Sequence, residues 1–221
     1  MTILILITLF YPLTKHRRMQ EVQTAASTLF LSIGISELIT QMVKAFVGRL
    51  RPNFYAMCGF DTMTKTCTSS VAYIKEARQS FPSGHSSLSF QGMVIVALFL
   101  VARIGLSKYY MTAASTSMTD MGTINNKMDY GAVSKNNASF LSWSTIYGLR
   151  KKQVQTLASI LIPISYAVFV ATTRLVDYWH HPSDVVAGVI IGIGSGFIAY
   201  HIFYPVVFSM NAGIPYRCLL S

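Results

Sequence analysis

The sequence predicts an all-α fold, a multi-span bundle of transmembrane helices, on three observations. Of 221 residues, 52% are hydrophobic and only 12% charged, and the mean hydropathy is +0.45. A water-soluble domain carries roughly a quarter charged residues, so this balance belongs to a bilayer. The apolar residues also gather into long runs, four of them close to the ~20 residues that cross hydrocarbon as a helix. The charged residues are confined largely to the connections between those runs.

The first apolar run, 2–13, is too short to span comfortably and reads as the tail end of a helix whose beginning is absent. A re-entrant or interfacial segment is the alternative. No basic stretch precedes it, and Thr14-Lys15-His16-Arg17-Arg18 follows in place of a small-residue cleavage site, which argues against a secretory signal. The expected spans are 25–47, 84–101, 154–173 and 185–208. In the last of them Gly188, Gly192 and Gly196 recur every fourth residue, a smooth stripe for close helix packing. The whole chain, 1–221, reads as a single integral-membrane domain in which 104–153, rich in Ser, Thr, Met and Asn, is expected as a mobile cytoplasmic insertion.

With these spans the connections alternate between two faces. Lys15, Arg17, Arg18, the 104–153 segment with Arg150-Lys151-Lys152, and Arg217 fall on one, which the positive-inside rule makes cytoplasmic. Residues 49–81 and 174–184 fall on the other, lumenal or extracellular face, of the plasma membrane or an endomembrane. The net charge of +10 would permit nucleic-acid binding, but the basic residues are scattered among loops without a stripe interleaved with aromatics. No nucleic-acid partner is expected; the partners are the bilayer and a substrate, and the oligomeric state is left open.

Three clusters lie at span ends on the second face. Lys44 and Arg51, with Pro52 behind them, are seven residues apart and on a continuous helix would share a face. Taken alone they fit a basic belt snorkelling at the interface. Ser80-Phe81-Pro82-Ser83-Gly84-His85-Ser86-Ser87 opens the third run, where free backbone N–H groups and the positive end of the helix dipole suit an anion. The plain alternative is a serine N-cap with an incidental histidine. In the third cluster, 173–184, His180 and Asp184 are four apart, so a helical start would let the carboxylate reach the imidazole and leave the other ring nitrogen free. A satisfied interfacial His–Asp pair is the competing account.

Together the clusters bring three cations, two histidines and a carboxylate to one membrane surface, the makings of a phosphate site with acid and nucleophile included. Acidic residues are few and the close histidines are adjacent, which disfavours a metal cage. No metal and no cofactor is expected.

Lys44-x6-Arg51-Pro52, Pro82-Ser83-Gly84-His85 and Arg174-x5-His180-x3-Asp184 resemble the three-part signature of the type 2 phosphatidic acid phosphatase superfamily, which includes vanadium-dependent haloperoxidases. Gly48-Arg49-Leu50-Arg51-Pro52 and the residues around Asp177-Tyr178-Trp179-His180-His181 are most similar to lipid phosphate phosphatases. The resemblance implies a phosphatase/haloperoxidase-like core that lacks the first of the family's usual spans. It implies that His180 attacks phosphorus while Asp184 holds its ring, and that His85 protonates the leaving lipid oxygen and then activates water. Lys44, Arg51 and Arg174 would bind the non-bridging oxygens, with Ser83 and the Gly84 N–H. Of the adjacent histidines only His180 has the family's spacing to both Arg174 and Asp184, so His181 is a neighbour that could touch substrate. The chain departs from the pattern with Thr173 where the family usually has Ser, and with a longer segment at 104–153. Pro82, often Tyr in animal members, makes it more similar to fungal and plant ones.

The implied function is metal-independent dephosphorylation of phosphatidate or a related lipid phosphate through a phosphohistidine. The alternatives are a diacylglycerol pyrophosphate, sphingoid or isoprenoid phosphate phosphatase, or a catalytically weak truncated homologue. A vanadate-using haloperoxidase shares the site, but those relatives are soluble. A membrane scaffold without activity is the non-enzymatic alternative; such relatives usually lose a histidine or a cation, and none is missing. Cys58 and Cys67, on the face expected to be oxidising, are candidates for a disulfide, with two free thiols as the alternative. The sequon Asn137-Ala138-Ser139 falls on the expected cytoplasmic face and should be unused. Cys218-Leu219-Leu220-Ser221 fits a prenylation pattern that a multi-span protein does not need.

Overall fold

The computed structural model describes residues 15–105, 143–209 and 211–219. The expectations for the 2–13 run, the Asn137 sequon and the interior of the 104–153 segment lie outside them. The chain order is α1 (Lys15–Val47), α2 (Phe54–Cys58), β1 (Phe60–Asp61), β2 (Thr66–Cys67), α3 (Val71–Ala77), α4 (Gly84–Ile104), α5 (Trp143–Val176), α6 (Pro182–Phe203) and α7 (Tyr216–Leu219). Within α1, α4, α5 and α6, the stretches Met19–Val47, Gly84–Ile104, Ile146–Val176 and Pro182–Phe203 are each long and apolar enough to cross a membrane.

All four expected spans are present, but each begins or ends away from its apolar run. Helix α1 starts ten residues before position 25, and α5 starts eleven before 154, so Arg150-Lys151-Lys152 is helical and not part of a loop. Hydropathy marks the stretch that sits in lipid, whereas Lys, Arg, Gln and Leu keep a helix going in water. Helix α6 starts at Pro182 and stops at Phe203, five residues short of the expected 208, where Tyr204 turns extended ahead of Pro205. That start places Pro at the first helical position, where its missing N–H is no loss.

Helix α4 is the centre of the bundle, packed between α5 and α6, while α1 lies against α6 and α4. The crossing of α4 and α6 is backbone on backbone. A Cβ added to Gly188 would stand 2.5 Å from the Ser83 carbonyl oxygen, one on Gly196 would stand 2.9 Å from that of Gln91, and one on Gly192 would overlap that of Ser87. The glycine stripe therefore does what its spacing predicts. A second stripe escaped the sequence reading: Thr24, Thr28, Ser32, Ser36 and Thr40 are all buried on the inner face of α1. In lipid, where no hydrophobic effect drives helices together, such small residues permit the close contact that holds them. Outward faces carry Phe30, Phe46, Phe169 and Ile190, all more than half exposed, as a lipid-facing surface should.

At the end away from Gly84, Phe99, Tyr200 and Tyr204 pack ring on ring, with centroids 4.8 Å apart for Phe99–Tyr204 and 5.1 Å for Tyr200–Tyr204. Arg103 of α4 and Glu21 of α1 form a buried ion pair there, and Lys152 Nζ donates to the Ile104 carbonyl at 2.5 Å. Cys218 is buried with its sulfur 3.5 Å from Gln20 Oε1. An apolar cavity of about 790 Å³ opens between α4 and α5, lined by Met93, Leu100, Ile162 and Tyr166 among others.

Candidate active site

The three sequence clusters meet at one end of the bundle because backbone hydrogen bonds sew them together. Gly48, left-handed with φ of +59°, stops α1 and turns the chain aside. Beyond it the Arg49 carbonyl accepts from Ser80 N–H at 3.0 Å, and Arg51 N–H donates to the Ala77 carbonyl at 2.9 Å. This pairing straps the first cluster to the end of α3 and the segment that leads into the second. The second is tied to the third by Ser83 N–H, which donates to the Asp184 carbonyl at 2.9 Å. Between α5 and α6, Tyr178 takes the left-handed conformation (φ +55°), rare outside glycine, and swings Trp179 and His180 back so that both N–H groups donate to the Arg174 carbonyl.

Two sequence expectations about geometry need correction. Lys44 is in the last turn of α1, but Arg51 is not on that helix, because Gly48 ends it first; the two cations converge through the turn and not along a helical face. His180 and Asp184 do not share a helical turn either, since α6 begins at Pro182 with His181 as its N-cap. The Asp184 carboxylate stands 3.9 Å from His180 Nδ1, beyond hydrogen-bond reach. Instead His180 Nδ1 lies 2.7 Å from the Ser80 carbonyl oxygen. A carbonyl only accepts, so the proton is on Nδ1 and the lone pair is left on Nε2.

His180 is 4% exposed. Burial, reinforced by the charges of Arg51 and Lys44 and opposed by Ser80 and Asp184, pushes its pKa down from 6.5 to about 4. The ring is therefore neutral near neutral pH. Lys44 and Arg51 act through space on both His180 and His85, and Arg174 acts on His85, so the three expected cations and two histidines share one electrostatic neighbourhood. Lys44 Nζ lies 3.5 Å from where a Cβ on Gly84 would stand, which sets the ammonium against the first residue of α4. Arg51 is buried, its guanidinium 4.7 Å above the Trp179 ring and 3.5 Å from the exposed Glu76 carboxylate. Arg174 pairs with Asp177 at 3.3 Å and donates twice to Thr173 Oγ1, so the hydroxyl at that position is used as a threonine.

Ser83, expected at the phosphate, is fully buried, and its oxygen accepts from Ser86 Oγ at 3.0 Å as the N-cap of α4. His85 is on the exposed side of the first turn. His181 is engaged with Asp184, its N–H donating to Oδ2 at 2.9 Å. Cys58, the last residue of α2, and Cys67 of β2 are disulfide-bonded, with Cα atoms 5.1 Å apart, on this same end. Among the described residues no three His, Cys, Asp or Glu side chains converge as a metal cage.

Sequence reasoning left Arg49 and Ser80 off the site. Arg49 Nη1 donates to Asp184 Oδ1 at 2.7 Å and to Ser183 Oγ at 2.6 Å, and Ser80 Oγ donates to Asp184 Oδ2 at 2.5 Å. Both lie inside the quoted clusters, but nothing in their spacing ties them to a carboxylate more than 100 residues away.

The sequence profile described as the PAP2 superfamily matches residues 25–207, which takes in α4, α5, α6, most of α1 and every residue of the three clusters. The chain belongs to the PAP2 superfamily. It is an integral membrane protein on the joint showing of that membership and its four apolar helices. It is 30% identical over 195 residues to lipid phosphate phosphatase 1 of Arabidopsis thaliana, covering 85% of this chain and 47% of that one. To phospholipid phosphatase 2 of Homo sapiens it is 30% identical over 175 residues, 75% of this chain and 46% of the other. To the Schizosaccharomyces pombe protein called "Probable diacylglycerol pyrophosphate phosphatase 1" it is 26% identical over 198 residues, 85% and 56%. The chain thus spans about half the length of the curated relatives it matches. No solved structure matches it significantly.

Proposed function

We propose that this PAP2 member is a metal-independent lipid phosphate phosphatase, acting on phosphatidate or a related lipid phosphate through a phosphohistidine on His180. The observation that carries the reading is the state of His180: buried, neutral, with its Nδ1 proton held by the Ser80 carbonyl and Lys44 and Arg51 close by. A neutral imidazole with a fixed tautomer presents its Nε2 lone pair as a nucleophile.

In the first step Nε2 attacks phosphorus, the phosphorus–oxygen bond to the lipid breaks, and His85 gives its proton to the departing oxygen. In the second, His85 takes a proton from water as the water oxygen attacks phosphorus; the nitrogen–phosphorus bond breaks, phosphate leaves and His180 returns to its neutral form. Lys44, Arg51 and Arg174 meet the charge on the non-bridging oxygens, joined by the Gly84 N–H that the Ser83 cap orients. Phosphoryl transfer needs mainly positioning and charge stabilisation, which three cations and a helix N-terminus supply. The names of the relatives support a lipid substrate, and the positive-inside pattern supports a lumenal or extracellular site.

The test is phosphate release from phosphatidate in mixed micelles with a chelator present. His180→Ala is expected to lower turnover at least about a thousandfold while leaving membrane insertion intact. Retained turnover would overturn the mechanism, and loss of wild-type activity on chelation would overturn metal independence.

A further inference from the structure

We propose that Arg49 and Ser80 are positioning residues for the nucleophile, closing with Asp184 a ring of hydrogen bonds that fixes His180 from its backbone side. The inference rests on His180 being the nucleophile.

Ser80 is held at three points. Its N–H donates to the Arg49 carbonyl at 3.0 Å, its hydroxyl donates to Asp184 Oδ2 at 2.5 Å, and its carbonyl accepts the His180 Nδ1 proton at 2.7 Å. The circuit closes because the Arg49 side chain returns to the other carboxylate oxygen, Oδ1, at 2.7 Å. Three residues from three separate clusters therefore constrain one another. The carboxylate, too far from the imidazole to hold it, acts through the serine.

The energetics favour this division. Asp184 and Ser80 are fully buried, and a buried carboxylate without a cation is costly. Arg49 supplies that cation. Its Nη1 donates to the fully buried Asp184 and to Ser183, whereas Arg51 and Arg174, assigned to phosphate, face the exposed carboxylates of Glu76 and Asp177. If Ser80 loses its hydroxyl, its carbonyl is held only through the backbone, and the ring it orients gains freedom to turn Nε2 away from phosphorus. That loss falls on the chemical step and not on substrate binding.

The experiment measures kcat and KM for phosphatidate, together with inhibition by vanadate as a phosphate probe, for Ser80→Ala, Arg49→Gln and Arg49→Lys beside His180→Asn. Ser80→Ala and Arg49→Gln are expected to lower kcat about tenfold to a hundredfold, as the loss of a charge-assisted hydrogen bond would. KM and vanadate inhibition should stay within about twofold, because neither residue is assigned to phosphate. Arg49→Lys should recover part of kcat by keeping the charge opposite Asp184. In the Asp184→Asn background, Arg49→Gln should add little, since both act in one circuit. A raised KM and weakened vanadate inhibition with kcat intact would make Arg49 a phosphate ligand and overturn the proposal. So would wild-type kcat in Ser80→Ala and Arg49→Gln, or additive losses in the double variant. If Arg49→Gln fails to accumulate in membranes, Arg49→Lys carries the same kcat criterion. Turnover surviving in His180→Asn would sink the nucleophile assignment itself; a dead His180→Asn beside fully active Arg49 and Ser80 variants would sink only this one.

Discussion

Acidification should destabilise the fold through His180, by an amount set by how deeply the ring is buried. The folded protein holds the imidazole neutral down to about pH 4, whereas an unfolded chain protonates it near 6.5. The unfolded state therefore binds the extra proton first as the pH falls. Stability is undisturbed above 6.5, declines between 6.5 and about 4, and has taken the full loss below that. The shift corresponds to roughly 3 kcal/mol at about 1.4 kcal/mol per pH unit. The ring is only 4% exposed, so solvent screening removes little of it.

The assay is thermal unfolding in detergent, followed by tryptophan fluorescence across this pH window, for the wild type and for His180→Asn. Asparagine places an amide N–H where Nδ1 stands, so it can still donate to the Ser80 carbonyl but cannot titrate. Effects of carboxylates and other histidines are common to both proteins and cancel in the difference. Wild type should lose apparent Tm on acidification faster than the variant, with the gap opening below 6.5 and levelling near 4. Parallel curves, or a wild type that gains on the variant as pH falls, would refute the claim that His180 is buried neutral.

Other regions make separate predictions. Gly192→Val drives a branched side chain into the Ser87 carbonyl and the Phe90 Cβ, 3.0 Å away, and should cost about 1–3 kcal/mol in unfolding measurements. Because the displaced helix is α4, turnover of the surviving protein should fall as well; an undiminished Tm would mean the crossing is looser than described. Glu21→Ala removes the buried carboxylate that faces Arg103 and should cost on the order of 3 kcal/mol. That pair is at the far end of α4, about 30 Å from Gly84 by helix rise, so kcat per folded molecule should not change.

The membrane bundle was legible because hydropathy and the glycine repeat are local patterns. The helix ends were less so. Trp143 to Gln153 and Lys15 to Thr24 are helical without being apolar, and Phe203 ends α6 while the hydrophobic run continues to Phe208. Lys44, Arg51, His85, Arg174 and His180 were read from three clusters at span ends and their resemblance to a family signature, and the fold brings them into one electrostatic neighbourhood. What spacing could not give is how the imidazole is held. An i,i+4 separation suggests a direct His–Asp contact only if both residues are helical, and His180 lies two residues before α6 begins. Backbone acceptors such as the Ser80 carbonyl carry no sequence signature at all, since every residue has one.

The two helix N-termini at this end explain why the carboxylate belongs where it is. Asp184 lies in the first turn of α6, where its Oδ2 accepts the His181 N–H; the positive end of that helix is answered from within. Helix α4 has no acidic residue in its first turn and is capped by the neutral Ser83, with Lys44 Nζ set beside Gly84. Its dipole, equivalent to about half a positive charge, adds to a cation that no described carboxylate pairs within salt-bridge range. The start of α4 is therefore left with positive charge that the proposed mechanism would use for phosphate. His180, the proposed nucleophile, stands before α6, whose first turn carries the Asp184 carboxylate, itself paired with Arg49. Moving the carboxylate to α4, as in Ser83→Asp, should oppose phosphate binding even though aspartate is an equally good N-cap. Ser83 is fully buried, so the added carboxylate should also cost stability, and the deciding readout is a raised KM for phosphatidate in the folded fraction. A KM left unchanged would mean that the phosphate does not use the start of α4.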